Sequence, residues 1–196
     1  LLLGAGLVVL MTTWAAGRRR LVERIRADGI ELEPFVASLD PQDFRRAERT
    51  AIYPVADTST VPQALLHNMK HNQVLHEHNV VLTVLFEDRP WVPMERRVEV
   101  QSLDHGFWRV TLRFGFMETP DVPLALQACA ARGLEAPPAA TSFFLSRETI
   151  VPTAGPGMAP WRERLFATMS RNAGSVVEFF RLPDNAVVEL GTRVQI

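Results

Sequence analysis

The sequence predicts an α/β fold: a mixed sheet with flanking helices, placed after the truncated end of a membrane helix. Three observations carry this. Residues 79–86, NVVLTVLF, form a nearly continuous β-branched and aliphatic run, as expected of a strand buried on both faces of a sheet. Segments of strand character alternate with segments of helical periodicity on both sides of it, the pattern of a layered α/β domain. The chain also opens inside an apolar run, LLLGAGLVVLMTTWAA, with Arg18, Arg19 and Arg20 directly after it.

The opening at Leu1, inside that run, reads as a segment whose beginning is cut off. A complete membrane-spanning helix needs about 20 apolar residues, and residues 1–16 fall short. Arginines after the apolar run reverse the order of a secretory signal. They mark the exit on the cytoplasmic side, and Trp14 stands where an interfacial anchor belongs. A buried helix of a soluble protein is the competing reading of the same residues.

Residues 17–48 are expected to connect this stub to the domain, which occupies residues 49–196. GRRRLVERIRAD places Leu21, Val22 and Ile25 on one helical stripe with arginines opposite. Each arginine near anionic headgroups contributes about 1 kcal/mol to membrane association. Gly29 and Pro34 interrupt the helical pattern. Ser38-Leu39-Asp40-Pro41 predicts a second short helix to about Arg46, capped by Asp40 with proline in its first turn.

Within the domain, TAIYPVA (50–56) reads as a strand, and Pro62 opens a helix that runs to about Asn72. RRVEVQSL and FWRVTLRFGF alternate around Asp104-His105-Gly106, predicting an antiparallel hairpin whose turn uses the glycine for positive φ. In its second strand Trp108, Val110, Leu112 and Phe114 share one face, and Phe107, Arg109, Thr111 and Arg113 the other. Asp121 caps a helix to about Ala131, stopped by Gly133. TSFFLS (141–146) is a further strand. VPTAGPGMAP (151–160) is a loop, and Trp161–Phe180 is one long amphipathic helix through Leu165, Phe166, Met169, Val176, Val177 and Phe180. AVVELGTRVQI is the last strand.

Composition narrows the function. The 196 residues are 47% hydrophobic and 22% charged with a net charge of −1, enough for one ordinary domain and against a surface built to neutralise phosphates. Nucleic acid is not an expected partner. The single Cys129 lies in an Ala-rich apolar stretch and reads as a buried structural thiol.

In LLHNMKHNQVLHEH, His67 and His71 stand at i, i+4, with His76 and His78 following, a spacing able to bind zinc. No glutamate follows His67, so a zincin helix is excluded. The favoured reading makes His67, Asn68, His71 and Asn72 hydrogen-bonding partners of neighbouring loops. Ser146-Arg147-Glu148 lacks a nucleophile elbow. Arg147 instead suits a carboxylate or an anionic ligand at a strand end. The glycines of TAGPG match neither phosphate-binding loop, and Glu87, Asp88 and Asp121 read as turn and cap residues. The residues therefore predict a non-enzyme with no catalytic, cofactor-binding or metal-binding residue of its own. The alternative is a soluble module that binds a ligand, or a metal through His67, His71 and His76.

The blocks VPQALLHNMKHNQVLHEHNVVLTVLFED, RVEV, FWRVTLRFGFMETPDVPLAL, TSFFLSRETIVP and PWRERLFATMSRNAGSVVEFFRLPDNAVVELGTRVQI, in that order, closely resemble the C-terminal cytoplasmic domain of Kup potassium uptake transporters. The match runs from about residue 50 to the end, and MTTW with its arginine-rich exit is similar to that family's last membrane helix. Residues 51–60 and Gln73 fit less closely. The resemblance implies a multi-pass transporter of the cell inner membrane, a proton:potassium symporter, with residues after about 17 in the cytoplasm as a regulatory or assembly domain. It further implies potassium and proton as partners through a membrane core outside this chain, the lipid bilayer, a homodimer, and a nucleotide regulator for which no motif is visible here. No transport residue carries over.

Overall fold

The computed structural model describes residues 2–27, 29–40, 43–151 and 158–195. Its helices are α1 (Leu2–Ala27), α2 (Leu32–Ala37), α3 (Gln63–Asn72), α4 (Met94–Arg97), α5 (Val122–Gln127), α6 (Pro160–Arg171) and α7 (Val176–Phe179). Its strands are β1 (Arg45–Pro54), β2 (Val74–Glu87), β3 (Val98–Ser102), β4 (Phe107–Gly115), β5 (Thr141–Val151) and β6 (Val187–Gln195), in the sheet order β3-β4-β2-β1-β5-β6. β2 runs parallel to β1 and β4, β1 runs parallel to β5, and β3 is antiparallel to β4. The sheet is therefore mixed, and the expected α/β class is what the chain adopts.

By contacts the chain divides into two units, one drawn from residues 30–146 and 175–190, the other from residues 1–29, 147–174 and 191–196. In the larger unit the sheet is covered on both faces. One face carries Ile52, Val80, Leu82, Val110, Leu112 and Phe143 beneath Val122, Ala125 and Leu126 of α5. The other carries Ala51, Tyr53, Val81, Phe107 and Phe144 beneath Leu32 and Val36 of α2 and Ala64, Leu65 and Met69 of α3. Alternate residues of one strand enter opposite cores, so Val80, Val81 and Leu82 are all buried. Each such side chain contributes roughly 1.5–3 kcal/mol by leaving water.

The hairpin forms as its turn demands: His105 has φ 57° and Gly106 φ 77°. A Cβ on Gly106 would stand 2.2 Å from the Glu77 carbonyl oxygen, so the turn lies directly on β2. Arg46 Nη1 donates to the carbonyls of His76 and His105, both at 3.0 Å, and ties β1, β2 and the hairpin turn together.

In the smaller unit, α1 packs on α6 through Gly17, whose absent Cβ leaves room for the buried Phe166 ring, and through Trp14, 5.5 Å from that ring. Leu21, Ile150, Met158 and Ala167 complete this core. The Arg162 Nε donates to the buried Thr13 hydroxyl at 3.0 Å.

Three expected helices differ in the structure, and the one expected from Asp121 to about Ala131 is regular α-helix only over Val122–Gln127, with a 3-10 turn at Ala130–Arg132. The helix expected from Ser38 to Arg46 does not form as such, because Arg45 and Arg46 already belong to β1; Pro41 and Gln42 lie outside the described residues. A helix forms earlier, at α2, where Pro34 sits in the first turn and needs no amide partner. The helix expected over residues 160–180 is two helices separated by Asn172, Ala173, Gly174 and Ser175, and the two halves serve different cores. Residues 2–27 form one continuous helix. No helix among the described residues is long and apolar enough to cross a membrane. Of the loop expected at 151–160, residues 152–157 lie outside the described ones.

Gly115 ends β4 where the next loop folds back: a Cβ there would stand 2.2 Å from the Pro90 carbonyl oxygen and 2.6 Å from that of Arg89. Backbone on that side cannot yield cheaply, so Gly115→Ala is expected to cost about 2–3 kcal/mol. Gly133→Ala, at φ 88° but facing open space, is expected to cost only about 1 kcal/mol. Urea unfolding of the two variants checks the ranking; equal midpoints would contradict the close approach at Gly115.

Candidate functional site

The polar residues of LLHNMKHNQVLHEHN are the first place to look for chemistry, and three asparagines among them hold the α3–β2 connection together. α3 ends at Gln73 in the left-handed conformation, φ 53°. The buried Asn68 then donates from Nδ2 to the Val74 carbonyl at 3.1 Å, and Asn72 donates to Asn68 Oδ1 at 2.7 Å. On β2 the fully buried Asn79 accepts from the His76 amide at 3.2 Å and donates to the His76 carbonyl at 2.7 Å. This pairing falls where the β1–β2 register shifts between Ala47 and Thr50, so a side chain supplies bonds that the strand ladder lacks there.

The histidines separate. His67 and His71 stack along α3 with ring centroids 5.7 Å apart. His76 and His78 belong to β2; His76 is buried with its ring edge toward Phe144, and His78 meets Trp108. Among the described residues no group of three or more His, Cys, Asp or Glu is placed to share a metal ion, so His76 does not complete a site with His67 and His71. Burial, helped by the positive charge of Arg49, lowers the His76 pKa below its ordinary 6.5. Burial also raises the Tyr53 hydroxyl well above the usual phenol range, with Asn68 opposing.

Most other candidates are occupied or enclosed. The Ser146 hydroxyl accepts from the Ala64 amide at 3.1 Å and so caps the first turn of α3. Arg147 and Glu148 follow it, exposed, and because β5 runs on to Val151 Arg147 lies within the strand and not at the strand end expected for it. Cys129 is fully buried, and burial pushes its thiol up to about 11 despite Arg132 nearby, which removes the thiolate that reactivity needs. Asp121 caps α5 by accepting from the Leu124 amide at 2.9 Å, and Glu87 pairs with Arg89 at 2.6 Å. An open depression of about 690 Å³ is lined by Ser175, Glu178, Arg181, Asp184 and Glu189 among others. Its mixed charges converge on no single point.

Sequence reasoning missed one acidic residue that matters locally. Glu118 accepts from the amides of Gly115 (2.6 Å) and Val92 (3.0 Å) and pairs with Arg97, whose guanidinium lies over Phe114. Burial by itself would raise its pKa, but the bonds from Gly115, Arg97 and Val92 outweigh it and hold the carboxyl below the ordinary range. Only the folded loop brings these donors together, so nothing in the local sequence announces them.

Residues 48–196 match the family model described as the K+ potassium transporter C-terminal domain. The whole chain is 56% identical to the "Probable potassium transport system protein Kup 2" of Albidiferax ferrireducens, covering 31% of that protein. It is 46% identical over its whole length to the "Probable potassium transport system protein Kup" of Verminephrobacter eiseniae, covering 32% of it. Over 195 residues it is 51% identical to the protein of that name from Pseudomonas savastanoi pv. phaseolicola, covering 31%. The chain spans about a third of the length of the curated relatives it matches.

The lowered His76 pKa has a defined sign. The unfolded chain binds the His76 proton near pH 6.5 and the folded one only at lower pH, so the stability that neutral, buried His76 contributes is lost as pH falls below about 6.5. Unfolding free energies at about pH 7.5 and about pH 5.5 are expected to differ more for the native chain than for His76→Gln. An equal difference in both would remove His76 as the cause.

Proposed function

The chain belongs to the K+ potassium transporter C-terminal domain family, and on that basis we propose that it is the C-terminal part of a potassium uptake transporter of the inner membrane. In this reading the transporter works as a proton:potassium symporter. Residues after about 17 lie in the cytoplasm as a domain that regulates or assembles it, through pairing of copies or a nucleotide regulator. The single observation that carries the proposal is the match of the whole chain to about a third of each Kup relative. Potassium and protons would pass through the part of the protein that this third does not include, so no transport residue is assigned here.

Two features of the chain support the membrane side of this reading. Residues 3–12 of α1 are exposed throughout, including Leu3, Leu7, Val8 and Met11, an apolar surface that lipid or protein would cover. Arg18, Arg19 and Arg20 follow it, the charge order of a cytoplasmic exit. The side chains best suited to chemistry, Ser146, Asp121 and Cys129, are engaged in caps or enclosed, which favours a supporting role over catalysis.

The test is growth of a potassium-uptake-deficient bacterium at low potassium. A transporter carrying residues 1–196 in place of the matching third of the 56%-identical relative is expected to restore growth, and residues 1–196 alone are not. A membrane-inserted chimera that never restores growth would overturn the proposal.

A further inference from the structure

One end of the larger unit exposes large apolar side chains that its own fold does not use. Phe86, Trp91, Phe116, Met117 and Phe179 are between 48% and 63% exposed. Phe86 stands next to the end of β2, opposite Phe114 on β4, and its ring lies 6.0 Å from that of Phe179. The loops that follow the two strands are bound to each other: the Phe116 amide donates to the Arg89 carbonyl at 3.0 Å and the Met117 amide to that of Pro90 at 3.3 Å. Glu118 fastens the same loops from within, through Val92, Gly115 and Arg97. Trp91, Phe116 and Met117 are thus held out on backbone whose geometry is fixed, the preorganisation that a binding surface requires.

We propose that this apolar end, built on Phe86, Trp91, Phe116, Met117 and Phe179, is where the domain docks on the part of the full-length transporter that precedes residue 1. The proposal rests on the functional reading above. Two observations select this occupant. The relatives are about three times as long as the chain, and the matched family is a C-terminal domain, so a large protein surface is tethered to this unit. Tethering raises the effective concentration of such a surface to the millimolar range for short linkers. The charges of these loops oppose the alternative of an anionic lipid surface, because the four acids Glu87, Asp88, Glu95 and Glu118 outnumber the three arginines Arg89, Arg96 and Arg97, and two of the arginines are already paired, Arg89 with Glu87 and Arg97 with Glu118. Trp, Phe and Met without a positive surplus are what the buried centre of a protein interface is made of.

The chimeric transporter described above, with its exchangeable cysteines replaced by serine, carries Met117→Cys labelled with a benzophenone maleimide. Native Cys129 is fully buried and does not compete for the label. After illumination in membranes, mass spectrometry is expected to find Met117→Cys joined to residues preceding residue 1. The yield should be at least about fivefold that from Lys70→Cys on the exposed side of α3, which is tethered equally but lies outside the proposed contact. Trp91→Ser in the same background should lower that yield while leaving the unfolding temperature of residues 1–196 unchanged. Linkage to residues 1–196 of a second copy, linkage to lipid, or a yield equal to the Lys70→Cys control would overturn the proposal. Potassium uptake measured on the same membranes separates the two readings: active transport without linkage rejects the docking surface alone, and linkage without transport rejects the functional reading alone.

Discussion

Strand β2 has no wet face over Val80, Val81 and Leu82, and the rest of the larger unit follows from that. A strand buried on both sides must have a layer of apolar side chains above and below it and hydrogen-bonded neighbours on both edges. β1 and β4 supply the edges, α5 one layer, and α2 with α3 the other. The polar residues near the start of β2 then become comprehensible as the means of entering so enclosed a position. Asn79 satisfies the buried His76 amide, at roughly 1–3 kcal/mol, and shares the His76 carbonyl with Arg46, while Asn68 bonds the part-buried Val74 carbonyl.

Much of this arrangement was legible in the sequence where one physical rule dominates. NVVLTVLF announces β2 by the absence of alternation, and Asp104-His105-Gly106 announces the hairpin by a glycine that must take positive φ. Asp121 and Gly133 bracket a helical segment by capping chemistry, although regular α-helix covers only Val122–Gln127 of it. The failures arise where tertiary packing decides. Pro34 looked like an interruption, but in a first turn it is harmless, and buried Leu32 and Val36 recruit α2. Periodicity joined Leu165 to Phe180 as one helix, whereas Phe166 serves one core and Val177 and Phe180 another. β2 begins five residues before its apolar run because Asn79 stabilises an irregular ladder that no periodicity reveals.

The histidine pattern shows why spacing alone does not make a site. His67 and His71 do share a helix face, as their i, i+4 separation requires, but the residues that follow turn into β2, where His76 is enclosed beside Phe144. The asparagines, Ser146, Asp121 and Cys129 serve the structure, and apolar surface stays exposed at the start of α1 and on the loops after β2 and β4. The family relationship is to a potassium transporter C-terminal domain.

The larger unit therefore depends on β2 as its enclosed centre. Native-state hydrogen exchange of residues 1–196, followed residue by residue, reads this directly. The slowest amides are expected in β2 from Val80 to Val84 and in the facing parts of β1 and β4, with the exposed start of α1 exchanging much faster. Exchange of the β2 amides as fast as those of Leu3–Met11 would contradict it.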